Sequence, residues 1–488
     1  MFWLAVIALG LARLPILGRG DLAPDEAYYW IWSRYPAWGY YDQGPMVAWW
    51  IWLTVKIFGT NEMGVRMAPA LASLLTTIGV ALLADRIYGR WAALWAVLFL
   101  NVTPLMFIGG SVATYDPMLI CFWVWTLVLL ERALSDGSWA FWLGAGIAAG
   151  LGLLSKHTMV MVIPGLWLAL FLTPQWRPWL RKPQPYFFVF VMGLLYVPNL
   201  LWNAHHNWMT IRHLLFLSQA GGPHSALKDF GAYIGSQVML VSPILFVILA
   251  IALVRPNRWD RAPVKLMWWS AVPILLFFAL FAFKTKVQAN WAINAYPSAA
   301  VLAGGWLADG NARRRWTAGL GAALAILMSA VVLFPAILMA MGVRAPALWH
   351  LTNQTYGWKK LGNRIEMERR RLGPGPVFIC GNDYQYCSEA AFYTAGRPKT
   401  YDLFAGSRLC EYVMWNRDLK GMLGENALYI NNNPDLTEIR PLFRYVDPHP
   451  LVVRVWRKPY YRNPVRINYI FRCYGYRKFV GISEAQGG

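Results

Sequence analysis

The stretch Pro24–Trp30, with the sequence PDEAYYW, follows the first hydrophobic segment of the chain and places two adjacent carboxylates at its end. A charge close to hydrocarbon costs at least about 2.5 kcal/mol at the bilayer centre, so it is rare there without a function. Tyr and Trp favour the membrane interface. Pro24 suits a first helical turn, in which Asp25 and Glu26 complement the helix dipole. The stretch predicts an interfacial helix whose acidic pair either caps that helix or takes part in chemistry.

The composition indicates a polytopic membrane protein. Of 488 residues, 57% are hydrophobic, only 14% are charged and 28 are tryptophan. The net charge of +21 suits cytoplasmic lipid headgroups and a substrate that carries lipid phosphate. The first hydrophobic stretch, Phe2 to Leu17, has no basic region before it, so we expect a retained helix rather than a cleaved signal peptide. We expect membrane lipids, but no nucleic acid, among the partners.

Hydrophobic runs long enough to span a bilayer recur along the first 342 residues. We place them at residues 2–18, 64–85, 91–109, 114–133, 139–155, 157–174, 185–202, 231–254, 266–283, 292–308 and 317–342. The aromatic-rich stretch 21–62 reads as helices lying in the interface plane rather than as a further span. The predicted fold is therefore mainly α, with about eleven transmembrane helices and interfacial helices in the first outer loop.

Basic side chains in the short loops set the predicted orientation. With a cytoplasmic N-terminus, eleven spans bring four basic loops to the cytoplasmic side, at residues 86–90, 177–182, 255–265 and 313–315. The same topology gathers on the outer face polar residues that played no part in setting it: Asp25, Glu26, Asp42, Asp116, Lys156, His157, the loop 203–230, Lys284 and Lys286. Their convergence predicts an active site on the outer face.

The composition changes near residue 344, where charged residues, Gly, Asn and Pro increase. A helix-like segment at 357–371 precedes β-like runs at 377–380, 427–430, 451–456 and 466–470. We therefore predict a transmembrane domain at 1–343 and a small extracytoplasmic α/β domain at 344–488. The latter holds Cys380, Cys387, Cys410 and Cys473. Cysteines in such a compartment usually pair, and their spacing has no convincing zinc pattern.

Two further aspartates lie at a turn and at a helix start. Asp42 follows Tyr41 in a turn that a Gly-Pro pair makes between the two predicted interfacial helices, and a turn role alone would explain it. Asp116 precedes Pro117 at the start of the fourth span, which is typical of a helix cap. Only their shared face with Asp25 argues for more.

Lys156 lies between two spans on the predicted outer face and needs either an anionic partner or a route to the interface. A lipid phosphate would suit it, because a lysine acts on phosphate as a point charge. Lys284 and Lys286, with Asn290, open the tenth span and suit a phosphate and a sugar face. The alternative for these lysines is anchoring at the interface.

Four of the seven histidines fall in the loop from residue 202 to residue 224, among them the adjacent pair His205 and His206. Histidines with carboxylates could bind a divalent metal, but adjacent histidines do not have the spacing of a helical zinc site. A polar lid over the substrate is the simpler interpretation. No internal repeat of the inverted-topology kind is present, which disfavours a transporter or flippase of lipid-linked sugars, the main alternative from another class.

The order of these motifs resembles that of the C-type glycosyltransferase superfamily, in its bacterial branch near protein O-mannosyltransferases and lipid A aminoarabinose transferases. The resemblance covers roughly residues 1–310. The matching motifs are Asp25–Tyr29, Tyr41–Pro45, Thr114–Pro117, Leu154–Lys156, Ser242-Pro243, and Asn290-Trp291 through Tyr296-Pro297. The C-terminal domain is only loosely similar to the extracytoplasmic part of such enzymes.

The resemblance implies transfer of one sugar from a polyprenyl-phosphate donor to an envelope acceptor (lipid A, another glycan or a protein) at the outer face of the bacterial cytoplasmic membrane. It implies that Asp25 is the catalytic carboxylate, that Asp116 supports donor or acceptor, and that Lys156 contacts the donor phosphate. The aminoarabinose transferases carry an acidic-basic pair and two prolines where this chain has the turn 42–45. Lys284 or Lys286 would have to supply the missing charge, and the difference argues against an aminoarabinose donor.

The expected chemistry is a single, inverting displacement at the anomeric carbon. A carboxylate takes the proton from an attacking hydroxyl, and fixed cations stabilise the leaving phosphate. Lysines can neutralise that phosphate, so we expect no obligatory metal, although a divalent metal remains compatible. The catalytic candidates are Asp25 and Asp116. The candidates for substrate binding are Glu26, Tyr41, Asp42, Lys156, His205, His206, Lys284, Lys286 and Asn290.

Overall fold

The computed structural model describes residues 1–219, 225–334, 336–343, 351–373, 375–403, 409–457 and 461–477. The chain divides into two compact units. The first contains Met1–Gly18 and Pro36–Ala330, and the second contains Arg19–Tyr35 and Val331–Gly488. The stretch around Asp25 thus groups with the C-terminal residues, whereas it was predicted to belong to a transmembrane domain at 1–343.

The first unit is built almost entirely of helices, the last of which runs just past its end. They are Phe2–Leu11, Met46–Phe58, Glu62–Tyr88, Arg90–Val102, Pro104–Gly109, Asp116–Asp136, Trp139–Leu153, Val162–Leu172, Gln184–His205, Met209–Gln219, Ala226–Val241, Pro243–Val254, Ala262–Trp269, Val272–Phe281, Tyr296–Ala308 and Ala312–Leu333. Each predicted span coincides with one or more of these helices. The helix predicted between the turn at Asp42 and residue 62 is also present, at Met46–Phe58.

Five helices of the described residues are long and apolar enough to cross a membrane: Glu62–Tyr88, Asp116–Asp136, Gln184–His205, Ala262–Phe281 and Ala312–Leu333. Two bent pairs would raise that number to seven if each pair is one span. These segments make the chain a multi-pass membrane protein.

The span predicted at 231–254 is broken in the structure. The helices Ala226–Val241 and Pro243–Val254 meet at an angle of 104°. Ser242 lies between them with a φ of 88°, and the proline that follows has no N–H to continue the first helix. A second bend, of 114°, separates the helical segment 157–172 from the turn of helix at 174–181.

Small residues let the helices of the first unit approach closely. The helix Asp116–Asp136 packs against Glu62–Tyr88 and Trp139–Leu153. The helix Trp139–Leu153 in turn packs against Gln184–His205. A Cβ added at Gly150 would lie 2.7 Å from the Cβ of Leu195, and one at Gly146 would lie 2.8 Å from the Cβ of Val191. Such contacts replace the hydrophobic driving force that is missing between helices in lipid.

The second unit is a six-stranded sheet with helices. Its strands are β1 (Val377–Gly381), β2 (Thr400–Asp402), β3 (Asn426–Asn431), β4 (Phe443–Val446), β5 (Leu451–Val455) and β6 (Arg466–Tyr476). The order is β2-β1-β3-β6-β4, with β5 also paired to β6. β1 is parallel to β2 and β3, whereas β6 is antiparallel to β3, β4 and β5. Its helices are Pro24–Arg34, Ala336–Ala340, Trp358–Arg371, Tyr384–Tyr393 and Tyr412–Trp415.

This sheet confirms the small C-terminal α/β fold, including all four predicted strands. Strands β2 and β4, which have only three and four residues, were not predicted. Strands this short carry too few side chains for alternation to be recognised.

The expectation that the cysteines of this unit pair is wrong, since no disulfide joins Cys380, Cys387, Cys410 or Cys473 in the part of the chain that the structure describes, and all four are buried. Cys380 lies on β1 and Cys473 on β6, and β3 separates the two strands. Strands two positions apart are about 9.5 Å apart, which is too far for a disulfide. Burial raises the pKa of Cys380 and of Cys387 well above the usual thiol value.

Candidate active site

The polar centre of the first unit is the carboxylate of Asp116. Its Oδ1 lies 2.7 Å from Nζ of Lys156, and its Oδ2 accepts a hydrogen bond of 2.5 Å from the amide of Asn290. Tyr115, not Asp116, occupies the cap position of the helix Asp116–Asp136, and no side chain caps that end. A capping role therefore does not explain Asp116, and the structure brings together three side chains that the sequence singled out separately.

Lys156 is held in place by the end of the helix Trp139–Leu153. The backbone N–H of Lys156 donates to the carbonyl of Gly152, which is one turn earlier. Its ammonium group also lies 5.1 Å from the ring centroid of Tyr115, within cation–π range. With only 4% of its surface exposed, Lys156 does not extend to solvent, so snorkelling does not account for it.

The turn that follows Tyr40 docks against the same helix end. The backbone N–H of Met46 donates to the carbonyl of Leu154 at 3.3 Å. Gly44 is required there, because a Cβ at this position would collide with that carbonyl oxygen. Gln43 contacts Nδ1 of His157 at 3.1 Å. The turn is therefore fixed beside Lys156, the neighbour of His157 in the chain.

Asp42 in this turn is buried and pairs with a histidine of the helix Met209–Gln219. Its Oδ1 lies 3.5 Å from Nε2 of His213, and the ring of Tyr41 lies 5.0 Å from the imidazole ring. Thr210, from the same helix, donates to the carbonyl of Tyr40 at 2.7 Å. Asp42 thus holds a histidine rather than only closing a turn.

Two further histidines belong to the site, and neither was among the candidate residues predicted from the sequence. One is His213, and the other is His157, whose Nε2 lies 2.8 Å from the hydroxyl of Tyr196. The sequence offered one signal for them, which is that both lie on the predicted outer face. By contrast, His205 is exposed, and His206 stacks on Trp202 at 4.2 Å.

Lys284 and Lys286 are exposed, and neither has a hydrogen bond or ion pair to Asp116 or Lys156 among the described residues. Of the residues that open the predicted tenth span, only Asn290 reaches the cluster around Asp116. The part of the chain that the structure describes contains no group of three or more His, Cys, Asp or Glu side chains that could hold a metal ion.

In the second unit, the two carboxylates of the opening stretch have different environments. Glu26 is fully buried, and its Oε2 accepts a hydrogen bond of 2.8 Å from the backbone N–H of Ala23, so it caps its own helix. Asp25 is exposed, and its Oδ1 accepts a hydrogen bond of 3.0 Å from the hydroxyl of Tyr384. The capping interpretation therefore applies to Glu26 and leaves Asp25 for another role.

The helix Pro24–Arg34 packs on the helix Tyr384–Tyr393 through aromatic rings. The ring of Tyr28 lies 4.6 Å from that of Tyr384, and the ring of Trp30 lies 4.8 Å from that of Phe392. Aromatic pairs at such distances contribute about 0.5–1.5 kcal/mol each beyond the burial of their area. These contacts fix the backbone that carries Asp25.

Comparison with known proteins gives consistent results. Residues 42–202 match the family described as dolichyl-phosphate-mannose-protein mannosyltransferase. The chain is 29% identical to the lipid A galacturonosyltransferase RgtD of Rhizobium johnstonii over 68% of its own length and 70% of that protein. It is 31% identical to an undecaprenyl phosphate-alpha-4-amino-4-deoxy-L-arabinose arabinosyl transferase of Pseudomonas aeruginosa, over 33% of each chain.

The solved structure of ArnT from Cupriavidus metallidurans bound to undecaprenyl phosphate has the same fold. The TM-score is 0.67 at 17% identity, and the match covers 96% of this chain and 97% of that one. The fold match and the sequence match thus agree, since both lead to membrane glycosyltransferases. In sequence and in fold, the chain is similar to glycosyltransferases of the kind that its motifs resemble.

Proposed function

We propose that this protein transfers a single sugar from a polyprenyl-phosphate donor to lipid A or a related envelope acceptor, with inversion at the anomeric carbon. The observation that carries the proposal is the buried pair Asp116 and Lys156, joined by Asn290. The turn at Asp42 lies beside this pair, on Leu154 and His157. The names of the relatives from Rhizobium and Pseudomonas support a lipid A acceptor and an undecaprenyl-phosphate donor.

In the proposed reaction, the bond between the anomeric carbon and the donor phosphate breaks as the acceptor oxygen attacks. Negative charge grows on the leaving phosphate, and the ammonium of Lys156 is available to stabilise it. Asp116 and Asn290 hold that lysine and limit its movement. A cation that is already fixed in place needs little reorganisation when the phosphate charge develops.

Asp25 is proposed to take the proton from an attacking hydroxyl, a role that fits an exposed carboxylate. The hydroxyl of Tyr384 would orient it through the hydrogen bond to Oδ1. If the acceptor is itself a phosphate, no base is needed, and Asp25 would orient the acceptor or stabilise the developing positive charge of the sugar.

The finer topology is part of the same proposal. It comprises eleven spans, a cytoplasmic N-terminus, residence in the bacterial inner membrane, and a periplasmic domain at 344–488 with the active site on the same side. The four basic loops support it. No obligatory metal is proposed, because Lys156 can supply the positive charge, although a divalent metal remains compatible.

The test is transfer of radiolabelled sugar from purified polyprenyl-phosphate donors to lipid A, comparing the wild type with Asp25→Asn and Asp116→Asn. The exposed Asp260 provides a matched control, Asp260→Asn, which should transfer at the wild-type rate. We expect Asp25→Asn to retain donor binding and to lose transfer by at least about 100-fold. Wild-type rates for both variants would refute the proposed roles.

A further inference from the structure

Arg13 follows the helix Phe2–Leu11 and is a buried cation that the proposed reaction does not use. Only 2% of its surface is exposed. Its Nη2 donates to Oδ1 of Asn101 at 2.9 Å, but its Nε and Nη1 have no hydrogen-bond partner. Among the described residues it also has no carboxylate within ion-pair distance. At least three of the five N–H groups of this guanidinium are therefore unsatisfied.

These N–H groups border a small cavity next to the proposed active site. Its lining includes Arg13, Ser73, Asn101 and Asp116. Both oxygens of Asp116 are already bound, one to Lys156 and the other to an amide, so this carboxylate does not neutralise Arg13. The cavity has room for a group of a few atoms, about the size of one or two waters.

We propose that Arg13 is the cationic ligand of an anionic, oxygen-bearing group of the substrate that enters this cavity beside Asp116. The inference rests on the proposed function and extends it to substrate class. A buried guanidinium without a counter-charge is costly, so it is rarely kept without an anionic partner. Its planar fork suits two oxygens of one carboxylate or phosphate, and the cavity has room for one or two atoms of that size.

Two sources could supply such oxygens: a carboxylate on the donor sugar, or the phosphate of the donor lipid. The test measures binding and transfer for three ligands with detergent-purified full-length protein. They are undecaprenyl phosphate alone, undecaprenyl phosphate carrying a uronic acid, and the same lipid carrying the matching neutral hexose. Each is compared for the wild type, Arg13→Gln and Arg13→Lys.

If the anion is the sugar carboxylate, Arg13→Gln should weaken binding of the uronic acid donor by about 10- to 100-fold and leave binding of the other two ligands unchanged. If the anion is the lipid phosphate, binding of all three ligands should weaken to the same extent. Arg13→Lys keeps the charge but not the fork, so it should fall between the wild type and Arg13→Gln. Wild-type binding of all three ligands by a folded Arg13→Gln protein would overturn the proposal, as would a loss confined to kcat.

Gly110→Ala tests the cavity without removing the charge. Gly110 has a φ of −79°, which alanine can adopt, but the added Cβ would collide with Nη1 of Arg13 and Oγ of Ser73 and would lie 2.8 Å from the carbonyl oxygen of Met106. We expect Gly110→Ala to weaken binding of the same ligand whose binding Arg13→Gln weakens. Gly193→Ala is the control, because a Cβ at Gly193 meets no atom within 4 Å. Unchanged binding in Gly110→Ala, with the displaced guanidinium confirmed by structure, would count against the site.

Failure of the proposed function gives a separate result. If the wild type binds a donor but transfers neither sugar, the glycosyltransferase proposal fails. An effect of Arg13→Gln on binding would still establish the anion site in that case. If binding is also insensitive to residue 13, both proposals fail.

Discussion

At the residue scale, the ion pair between Asp116 and Lys156 is the strongest evidence for function. Both side chains are almost completely buried, and their charged atoms are 2.7 Å apart. A buried ion pair is often no more stabilising than apolar residues of the same volume, because desolvation offsets the attraction. Stability alone therefore gives little reason to keep this pair, whereas the proposed role of Lys156 in binding the donor phosphate does.

Replacement of Lys156 by Met should destabilise the protein and abolish transfer. The substitution keeps the length of the side chain but leaves Asp116 buried with only the hydrogen bond from Asn290. We expect a loss of about 3–5 kcal/mol in the free energy of unfolding, because an uncompensated charge remains. Unfolding by SDS in mixed micelles would measure it.

The double variant Lys156→Met with Asp116→Asn is the matched control. Removing both charges should cost less stability than the sum of the single changes, since no buried charge is left unpaired. Strictly additive costs would show that the two side chains do not interact. Transfer should stay lost in the double variant even where its stability recovers.

The sequence singled out Asp116, Lys156 and Asn290, but not their contacts. Lys156 lies 40 positions and Asn290 lies 174 positions from Asp116, and no local pattern indicates contacts over such separations. What could be predicted was a shared face of the membrane. Arg13 was missed because an arginine near the end of an apolar run looks like an interface anchor.

At the element scale, the turn 40–45 depends on one glycine. Gly44→Ala would drive a Cβ into the carbonyl oxygen of Leu154 and push the turn, with Gln43 and Asp42, away from the helix end. Overpacking of this kind costs about 1–3 kcal/mol. We expect a lower melting temperature and reduced transfer, whereas Gly193→Ala should match the wild type in both measurements.

The helix Tyr384–Tyr393 should affect the rate of sugar transfer because its Tyr384 orients Asp25. Tyr384→Phe removes the hydrogen bond to Asp25 and keeps the ring that packs on Tyr28. We expect kcat to fall about tenfold while the KM for the donor stays unchanged, because only the orientation of the carboxylate is affected. Tyr474→Phe, which removes a hydroxyl from β6, is the control; an equal fall in that variant would contradict this role.

The turn after β4 should make stability depend on pH. The backbone N–H of His449 and the guanidinium of Arg472 lower the pKa of Asp447 below 3.8. A lowered pKa means that folding favours the charged form, so the stabilisation is complete above pH 3.8 and is lost as the pH falls below it. Melting curves from pH 6 down to about pH 3 should show this loss. Asp447→Asn should give a flatter dependence; the wild-type slope in that variant would exclude this carboxyl as the cause.

At the scale of the whole molecule, the free cysteines allow a direct check of the fold. Cys380, Cys387, Cys410 and Cys473 are fully buried. A charged maleimide should therefore label none of them in the native protein and all of them after denaturation in SDS, with no prior reduction needed. Labelling that required a reductant would show that disulfides form, and labelling of the native protein would contradict the burial.

The helical architecture was predictable because each membrane-spanning stretch carries its own signal in hydrophobicity. The break within 231–254 was not predicted, since Ser242-Pro243 was recognised only as a family motif and not as the end of a helix. The most important omission was the partner of the stretch 19–35. Its hydrogen bonds reach Thr355, Tyr384 and Tyr393, and no pattern in either segment announces the other.

That pairing has a consequence for biosynthesis. The groups that fix the helix carrying Asp25 are synthesised more than 330 residues after it. Loop closure over such a separation is slow, and it cannot begin before the C-terminal residues exist. The carboxylate of Asp25, the proposed base, is therefore not held in place until synthesis of these residues is complete. A nascent or truncated chain would be inserted in the membrane but could not act on the donor lipids around it.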